Sequence, residues 1–270
     1  MSEVPADRGL REVEAELPGF GVYRQDFNLD PLPHWRNSDA EDRQGMTEMR
    51  YIEGLYAYWD RIRELHPECF MIGCASGGRR IDLETLMRFH VHQKSDHWFD
   101  PVVDQASLYG LSQWIPNGCI DVPVNSLSRY HFHSAMPATL NLGWAADEPG
   151  FDMEAAKKLC GFYRKIQPFL SKDWYPLTPY SRDPSGWLAV QFDYPERGQG
   201  LVLVFRREKA ASGSLEVRLR ALDAAAMYTV ESSEGDLEVV PGEKLSRGYV
   251  VTIQSAPGSA ALTYNKSALR

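Results

Sequence analysis

Cysteine is scarce in this chain: four residues in 270, at positions 69, 74, 119 and 160. None stands in CxxC or zinc-ligand spacing, which excludes a disulfide-stapled fold and a thiolate metal centre; free thiols in a soluble cytoplasmic protein are the expectation. No run approaches the roughly 18 apolar residues of a membrane span. The opening Met1-Ser2-Glu3-Val4-Pro5-Ala6-Asp7-Arg8 lacks the hydrophobic region of a secretion signal. Cations are in deficit, with 29 Lys and Arg against 37 Asp and Glu and a net charge of −8, which argues against a nucleic-acid or anionic-membrane partner. Internal repeats and low-complexity tracts are absent. What remains is a chain with 43% hydrophobic residues, able to bury a large core in one or two domains. Its seven Trp and thirteen Tyr suit either aromatic sugar platforms or core filling.

The hydrophobic pattern divides the chain. Residues 1–20 are polar and acidic, with Leu10, Val13 and Leu17 at helical spacing, and predict a short helix before a strand at about 21–26. A polar loop from Leu29 to Gln44 follows. Met49, Ile52, Tyr56, Trp59 and Ile62 then recur at three- and four-residue steps, a helical stripe over 46–65 read as core packing and stopped by Pro67. Cys69 to Cys74 is an apolar strand, Asp82 to Phe89 a helix, and Val91 to Ser95 a short strand. Pro101 to Tyr109 reads as a helix, Leu111 to Ile115 as a strand, Thr139 to Trp144 as a closing strand and Glu154 to Leu170 as an amphipathic helix. Alternating strands and helices predict a parallel α/β architecture. Near Trp174 the pattern changes: after a linker with Pro176, Pro179 and Pro184, short apolar runs bounded by Gly, Pro, Ser and Asp predict an antiparallel sandwich. Those runs are Trp187–Tyr194, Gly200–Arg207, Leu215–Leu222, Tyr228–Ser232, Tyr249–Gln254 and Ala260–Tyr264. Lys157-Lys158 and Arg206-Arg207 read as solvated faces. The fold class is therefore α/β plus all-β, with domains at 1–172 and 175–270.

The chemistry gathers at strand ends. Tyr23-Arg24-Gln25-Asp26-Phe27-Asn28 begins as a short strand whose faces are both covered and ends in a cation, a carboxylate and an amide. Residues two apart on a strand point the same way, so Arg24, Asp26 and Asn28 could line one face. A structural Arg–Asp pair at a strand end is the alternative. Asp26 and Asp96 lie two strand-plus-helix units apart, so alternate strands of one parallel barrel could present both at its carboxyl-end mouth. Two carboxylates about 5–5.5 Å apart are what double-displacement glycoside hydrolysis requires. Between them, Cys74-Ala75-Ser76-Gly77-Gly78-Arg79-Arg80 places glycines after a strand, where backbone NH groups approach a ligand closely. The pairs His90/His92 and His131/His133 would each share a face on a strand, but no carboxylate or cysteine completes a zinc set at recognisable spacing. A catalytic role for the Cys74 thiol lacks a discernible His–Asn partnership.

Taken together, Tyr23-Arg24-Gln25-Asp26-Phe27-Asn28, Cys74-Ala75-Ser76-Gly77-Gly78-Arg79 and Lys94-Ser95-Asp96, in that order, resemble the motifs of glycoside hydrolase family 36, the α-galactosidase family of clan D. The match runs from about Gly21 to the C-terminus. The resemblance implies part of a (β/α)8 TIM-type barrel followed by an antiparallel β-sandwich. It also implies a retaining exo-glycosidase for terminal α-galactosides, with Asp26 as nucleophile and Asp96 as acid/base, needing no metal or organic cofactor. Arg24 stands where the family often has a sugar-contacting lysine. Cys74 and Gly77 would contact the galactose 2-hydroxyl region, and Asn28 and Arg80 would support the carboxylates and pocket wall. An α-N-acetylgalactosaminidase, another clan D α-glycosidase, or a non-catalytic sugar-binding or scaffolding remnant are the alternatives. The departures are large: the chain begins at what would be the fourth barrel strand, without the family's preceding β-domain, first-strand acids and sugar-holding tryptophan. After Asp96 it reads His97-Trp98-Phe99-Asp100, where the family commonly has a further acidic pair. A homo-oligomer or a separate N-terminal half is the expected partner, since a half-barrel leaves strand edges open.

Overall fold

A computed structural model describes residues 21–267; the helix expected within 1–20 lies outside the described residues. Two compact units divide the chain between Asp96 and His97.

In the first unit, β1 (Val22–Gln25), β2 (Phe70–Gly73) and β3 (Val91–Gln93) run parallel, with Tyr23 beside Met71 and Ile72 beside Val91. Parallel neighbours require crossovers. The first contains α1 (Leu32–Ser38) and α2 (Met46–Leu65), and the second the single turn α3 (Leu83–Leu86). The start of α2 is fixed by Asp39, whose carboxylate accepts from the backbone NH of Gly45 and Thr47 and from the Thr47 hydroxyl. It ends at Leu65, two residues before Pro67, as a proline downstream dictates. The helix buries Leu55, Trp59 and Ile62 against Cys69, Met71 and Phe89, and the Trp59 and Phe89 rings meet edge to face at 4.8 Å. Each such side chain contributes about 1.5–3 kcal/mol of burial. α3 is held by a capping box in which Asp82 accepts from Thr85 NH.

Three expectations change here. The loop from Leu29 to Gln44 contains α1 and a 3₁₀ turn at Glu41–Arg43, because Pro31 and Pro33 suit a helix's first turn. The buried stripe of α2 starts at Leu55, and Met49 is exposed. Nor is β1 covered on both faces: Val22 and Arg24 are exposed, while Tyr23 and Gln25 are partly buried towards α2.

The second unit opens with α4 (Pro101–Leu111), N-capped by the Asp100 carboxylate, which accepts from Val102 and Val103 NH. The predicted strand at Leu111–Ile115 is instead the helix end and a turn, closed by Ser112 NH and Ile115 NH donating to the carbonyls of Leu108 and Leu111. The strand lies later, as β4 (Ile120–Val124), parallel to β5 (Thr139–Leu142). Pro123, which offers no ladder donor, disguised it. α5 (Arg129–Ala135) intervenes and α6 (Met153–Ile166) follows.

The remainder is antiparallel. β6 (Asp173–Pro176), β7 (Trp187–Tyr194), β8 (Gln199–Arg206), β10 (Met227–Ser232), β11 (Leu237–Pro241) and β13 (Gly258–Lys266) form one sheet. Their spatial order is β11-β10-β13-β8-β7-β6. A two-stranded sheet pairs β9 (Ser214–Val217) with β12 (Tyr249–Thr252), and the short helix α7 (Gly242–Arg247) precedes β12. Val202, Val204, Tyr228, Val230 and Tyr264 from the large sheet share one core with Val217 and Val251 from the small one and with Leu245 of α7. Strands β6 and β11 were hidden from the periodicity, β6 by the prolines around it and β11 by its exposed Leu237 and Val239. Arg207 corrects another expectation. It is 1% exposed, not solvated, and donates to the Asp183 carbonyl at 3.2 Å and to Gln105 Oε1 at 3.4 Å. Arg206 donates to the carbonyls of Ala210, Ile253 and Gln254. No described helix is long and apolar enough to cross a membrane.

Candidate active site

Around the polar ends of the first unit's three strands lie the expected carboxylates Asp26 and Asp96 and the expected sugar-pocket residues Arg24, Asn28, Cys74, Gly77 and Arg80. Asp26 follows β1 directly. Its Oδ1 accepts from Cys74 Sγ at 3.2 Å, from Ser76 NH at 3.1 Å and from Phe27 NH at 2.8 Å. Arg24 Nη2 lies 4.0 Å from Oδ2. Desolvation opposes ionisation of Asp26, but the bonds from Cys74, Ser76, Phe27 and Asn28 outweigh it and hold the carboxyl below its ordinary value near 3.8. Asp26 is therefore a carboxylate at neutral pH. Cys74 moves oppositely: burial, only partly offset by a backbone bond from Gly77, and the neighbouring Asp26 carboxylate push its thiol up to about 11. A protonated thiol is a donor and a poor nucleophile. Cys74 thus serves Asp26 here.

The loop after β2 is shaped for this contact. Ser76 has φ of 47°, in the left-handed region that L-residues seldom occupy. That conformation aims its NH at Asp26, while its hydroxyl donates to Asn28 Oδ1 at 2.7 Å and contacts the Phe27 carbonyl at 3.2 Å. Gly77 has φ of +80°, and a Cβ there would stand 2.5 Å from the Asp96 nitrogen. Its lack of a side chain lets the loop lie against the Ser95–Asp96 backbone. Arg80 stacks its guanidinium 4.3 Å from the Phe27 ring centroid, fixing the residue next to Asp26.

Asp96 is exposed at the end of the β3 segment. Gln93, 2% exposed, reaches it: Gln93 Nε2 donates to Asp96 Oδ1 at 2.9 Å, and Gln93 Oε1 accepts from Arg24 Nη2 at 2.8 Å. Asp26, Arg24, Gln93 and Asp96 consequently form one polar chain. The sequence reading assigned no role to Gln93 or Ser76. Ser76 lay inside the quoted glycine loop. Gln93 carried no local signal: it is an amide in a short segment, Val91 to Lys94, whose burial only the structure reports. Behind the site, Gln25 Oε1 accepts from Trp59 Nε1 at 2.5 Å and from the Tyr23 hydroxyl at 3.0 Å, anchoring β1 to α2.

The histidines do not converge. His90 is exposed and His92 buried, and desolvation lowers the pKa of His92. His131 and His133 sit on α5, so their spacing does not give them the shared face expected of a strand. Burial drives His133 down to about 3, and its Nδ1 meets Ser259 Oγ at 3.0 Å. Among the described residues, no three His, Cys, Asp or Glu side chains cluster tightly enough to hold a metal ion.

Comparison with known proteins adds three findings. The Melibiase family model matches residues 27–158. Probable α-galactosidase C of Aspergillus terreus is 24% identical over 86% of this chain, and α-galactosidase AgaA of Geobacillus stearothermophilus 26% identical over 76%. Crystal structures of the GH36 α-galactosidases AgaA, as a variant in complex with raffinose, and AgaB, both from G. stearothermophilus, superpose with TM-scores of 0.84 and 0.83. They are 21% and 22% identical and cover 98% of this chain. Sequence and fold thus carry the resemblance to glycoside hydrolase family 36, and the α/β part followed by antiparallel sheets is the fold they share. The chain spans about a third of these relatives, 32% and 29% of the two curated proteins and 38% of the two solved chains.

Proposed function

We propose that this chain carries the catalytic carboxylates of a retaining α-galactosidase-type exo-glycosidase, acting without metal or organic cofactor on terminal α-galactosides in the cytoplasm. One observation carries the reading: Asp26 is held ionised by three donors, Cys74 Sγ and the Ser76 and Phe27 NH groups, beside a cation and is linked through Arg24 and Gln93 to a second carboxyl, Asp96. Asp26 attacks the anomeric carbon while Asp96 protonates the departing oxygen. The galactosyl–Asp26 ester is then hydrolysed by a water from which Asp96 removes a proton, restoring both groups. Arg24, Cys74 and Gly77 would face the sugar, and Asn28 and Arg80 brace the nucleophile's loop. The parallel strands would belong to a (β/α)8 barrel within residues 1–172, and the antiparallel sheets to a sandwich within 175–270. Selection between galactose and N-acetylgalactosamine falls to the 2-hydroxyl region. Assaying aryl α-galactoside and aryl α-N-acetylgalactosaminide side by side, with Asp26→Ala as control, tests the assignment. Release from the galactoside that vanishes in the variant supports it; equal release from both proteins overturns it.

The partial coverage of the relatives favours a second reading, in which a further segment or a second copy must complete the sugar pocket, or the chain binds sugar without turnover. Light scattering on the assayed peak separates these: an active dimer supports assembly, whereas an inactive chain with measurable galactose binding supports the binding role.

A further inference from the structure

We propose that Gln93 is a positioning residue that ties Arg24 to Asp96 and, by occupying Oδ1 of Asp96, leaves Oδ2 to carry the proton given to the leaving group. The inference rests on reading Asp96 as the acid/base. The amide's orientation is dictated by its neighbours. A guanidinium offers only donors, so the Gln93 oxygen must face Arg24. Its nitrogen then has one hydrogen for Asp96 Oδ1 at 2.9 Å and one for the Ser95 carbonyl at 3.2 Å. The reversed amide would set its NH₂ against the guanidinium and its oxygen against two acceptors. At 2% exposure little water competes for these bonds. An apolar residue would serve packing alone at this buried strand end, so the amide's value lies in the two charged groups it joins. A donor fixed on Oδ1 stays satisfied whether Asp96 is charged or protonated, because Oδ1 accepts in both states. The proton therefore belongs to Oδ2, and the carboxyl is held in one rotamer. Orientation of this kind is part of what general acid catalysis requires.

Two measurements on the full chain decide the matter. In ¹⁵N-labelled protein the Gln93 side-chain amide, assigned by its loss in Gln93→Glu, is followed in Asp96→Ala and Arg24→Met. Displacement of its resonances in both variants is expected; an amide unmoved by Asp96→Ala overturns the bridge. In kinetics, Gln93→Glu keeps an acceptor for Arg24 and removes the donor to Asp96. It should lower kcat/KM about 10–100-fold on a sugar-aglycone α-galactoside and less than about threefold on an activated aryl one. Equal loss on both, as general damage gives, overturns the positioning role. If the wild-type chain turns over neither substrate, or Asp26→Ala remains active, the functional reading fails. The amide spectrum still decides whether Gln93 joins Arg24 to Asp96.

Discussion

Strands β1 and β8 show how differently two parts of one chain use their residues. β8 buries six of its eight residues, Gly200 to Phe205, in a sheet with pairing on both sides. β1 has four residues, none fully buried, and ends in an arginine and a glutamine; the aspartate that follows is held by the next strand's loop. Substitution in β8 should therefore act on stability and leave the carboxylates' chemistry alone. Around β1 the reverse should hold, since exposed charges contribute little to folding.

The largest effect is expected at Asp26. Asp26→Ala should lower turnover by more than about 10³-fold while leaving the unfolding midpoint nearly unchanged, as an activity assay and a denaturant titration on one preparation would show. A large stability loss would break the contrast. Next is Phe192→Ala in β7, fully buried beside β8. It should destabilise by about 3–5 kcal/mol through cavity formation, read as a lower denaturant midpoint, with turnover per folded molecule retained. Asp96→Ala should cost about 10²-fold or more on poor leaving groups and spare the glycosylation step for excellent ones, since these need little protonation. A uniform loss across leaving groups would count against the assignment.

Cys74→Ala tests the cradle itself. Because Asp26 is depressed, its carboxylate form is present above its folded pKa and is lost as pH falls through it. Any stability from this group is likewise fully present above the ordinary value near 3.8 and lost below it. Removing the thiol donor raises that pKa, so the acid limb of kcat/KM should move to higher pH with a loss of about three- to tenfold. Cys74→Ser, which keeps a donor, should largely restore it. The smallest effect is expected at the exposed Lys165–Glu231 pair, 2.6 Å apart. Glu231→Gln should change stability by less than about 1 kcal/mol and leave activity as it was.

Much of this contrast was legible before any coordinates. The Met46–Leu65 helix, the Cys69–Cys74 strand and the runs that became β7 and β8 announce themselves by period and by punctuation from Pro and Gly. Asp26, Cys74 and Asp96 were legible as candidates because their motifs occur in the order of the family that the chain resembles. Other parts were not. β4 contains a proline, a residue that central strands seldom hold, and so was not marked as a strand. Arg207 is buried because the Asp183 carbonyl and Gln105 come from distant parts of the chain to meet it, and no local pattern reports that. Gln93 escaped for the same reason: its partners are 69 residues earlier and 3 later. Its role depends on which strand lies beside which. Ser76 was visible only as a loop residue, since its use is a backbone NH aimed by a left-handed φ.

The most direct test of the account looks for the ester it requires. The Asp96→Ala variant would be incubated with an activated aryl α-galactoside, quenched in acid, digested and examined by mass spectrometry. Without the base that activates water, the galactosyl intermediate should accumulate on the peptide containing Asp26, with fragmentation placing the hexose on that residue. Phenol release with no adduct on Asp26, or with the sugar on another side chain, would contradict the assignment of Asp26 as nucleophile.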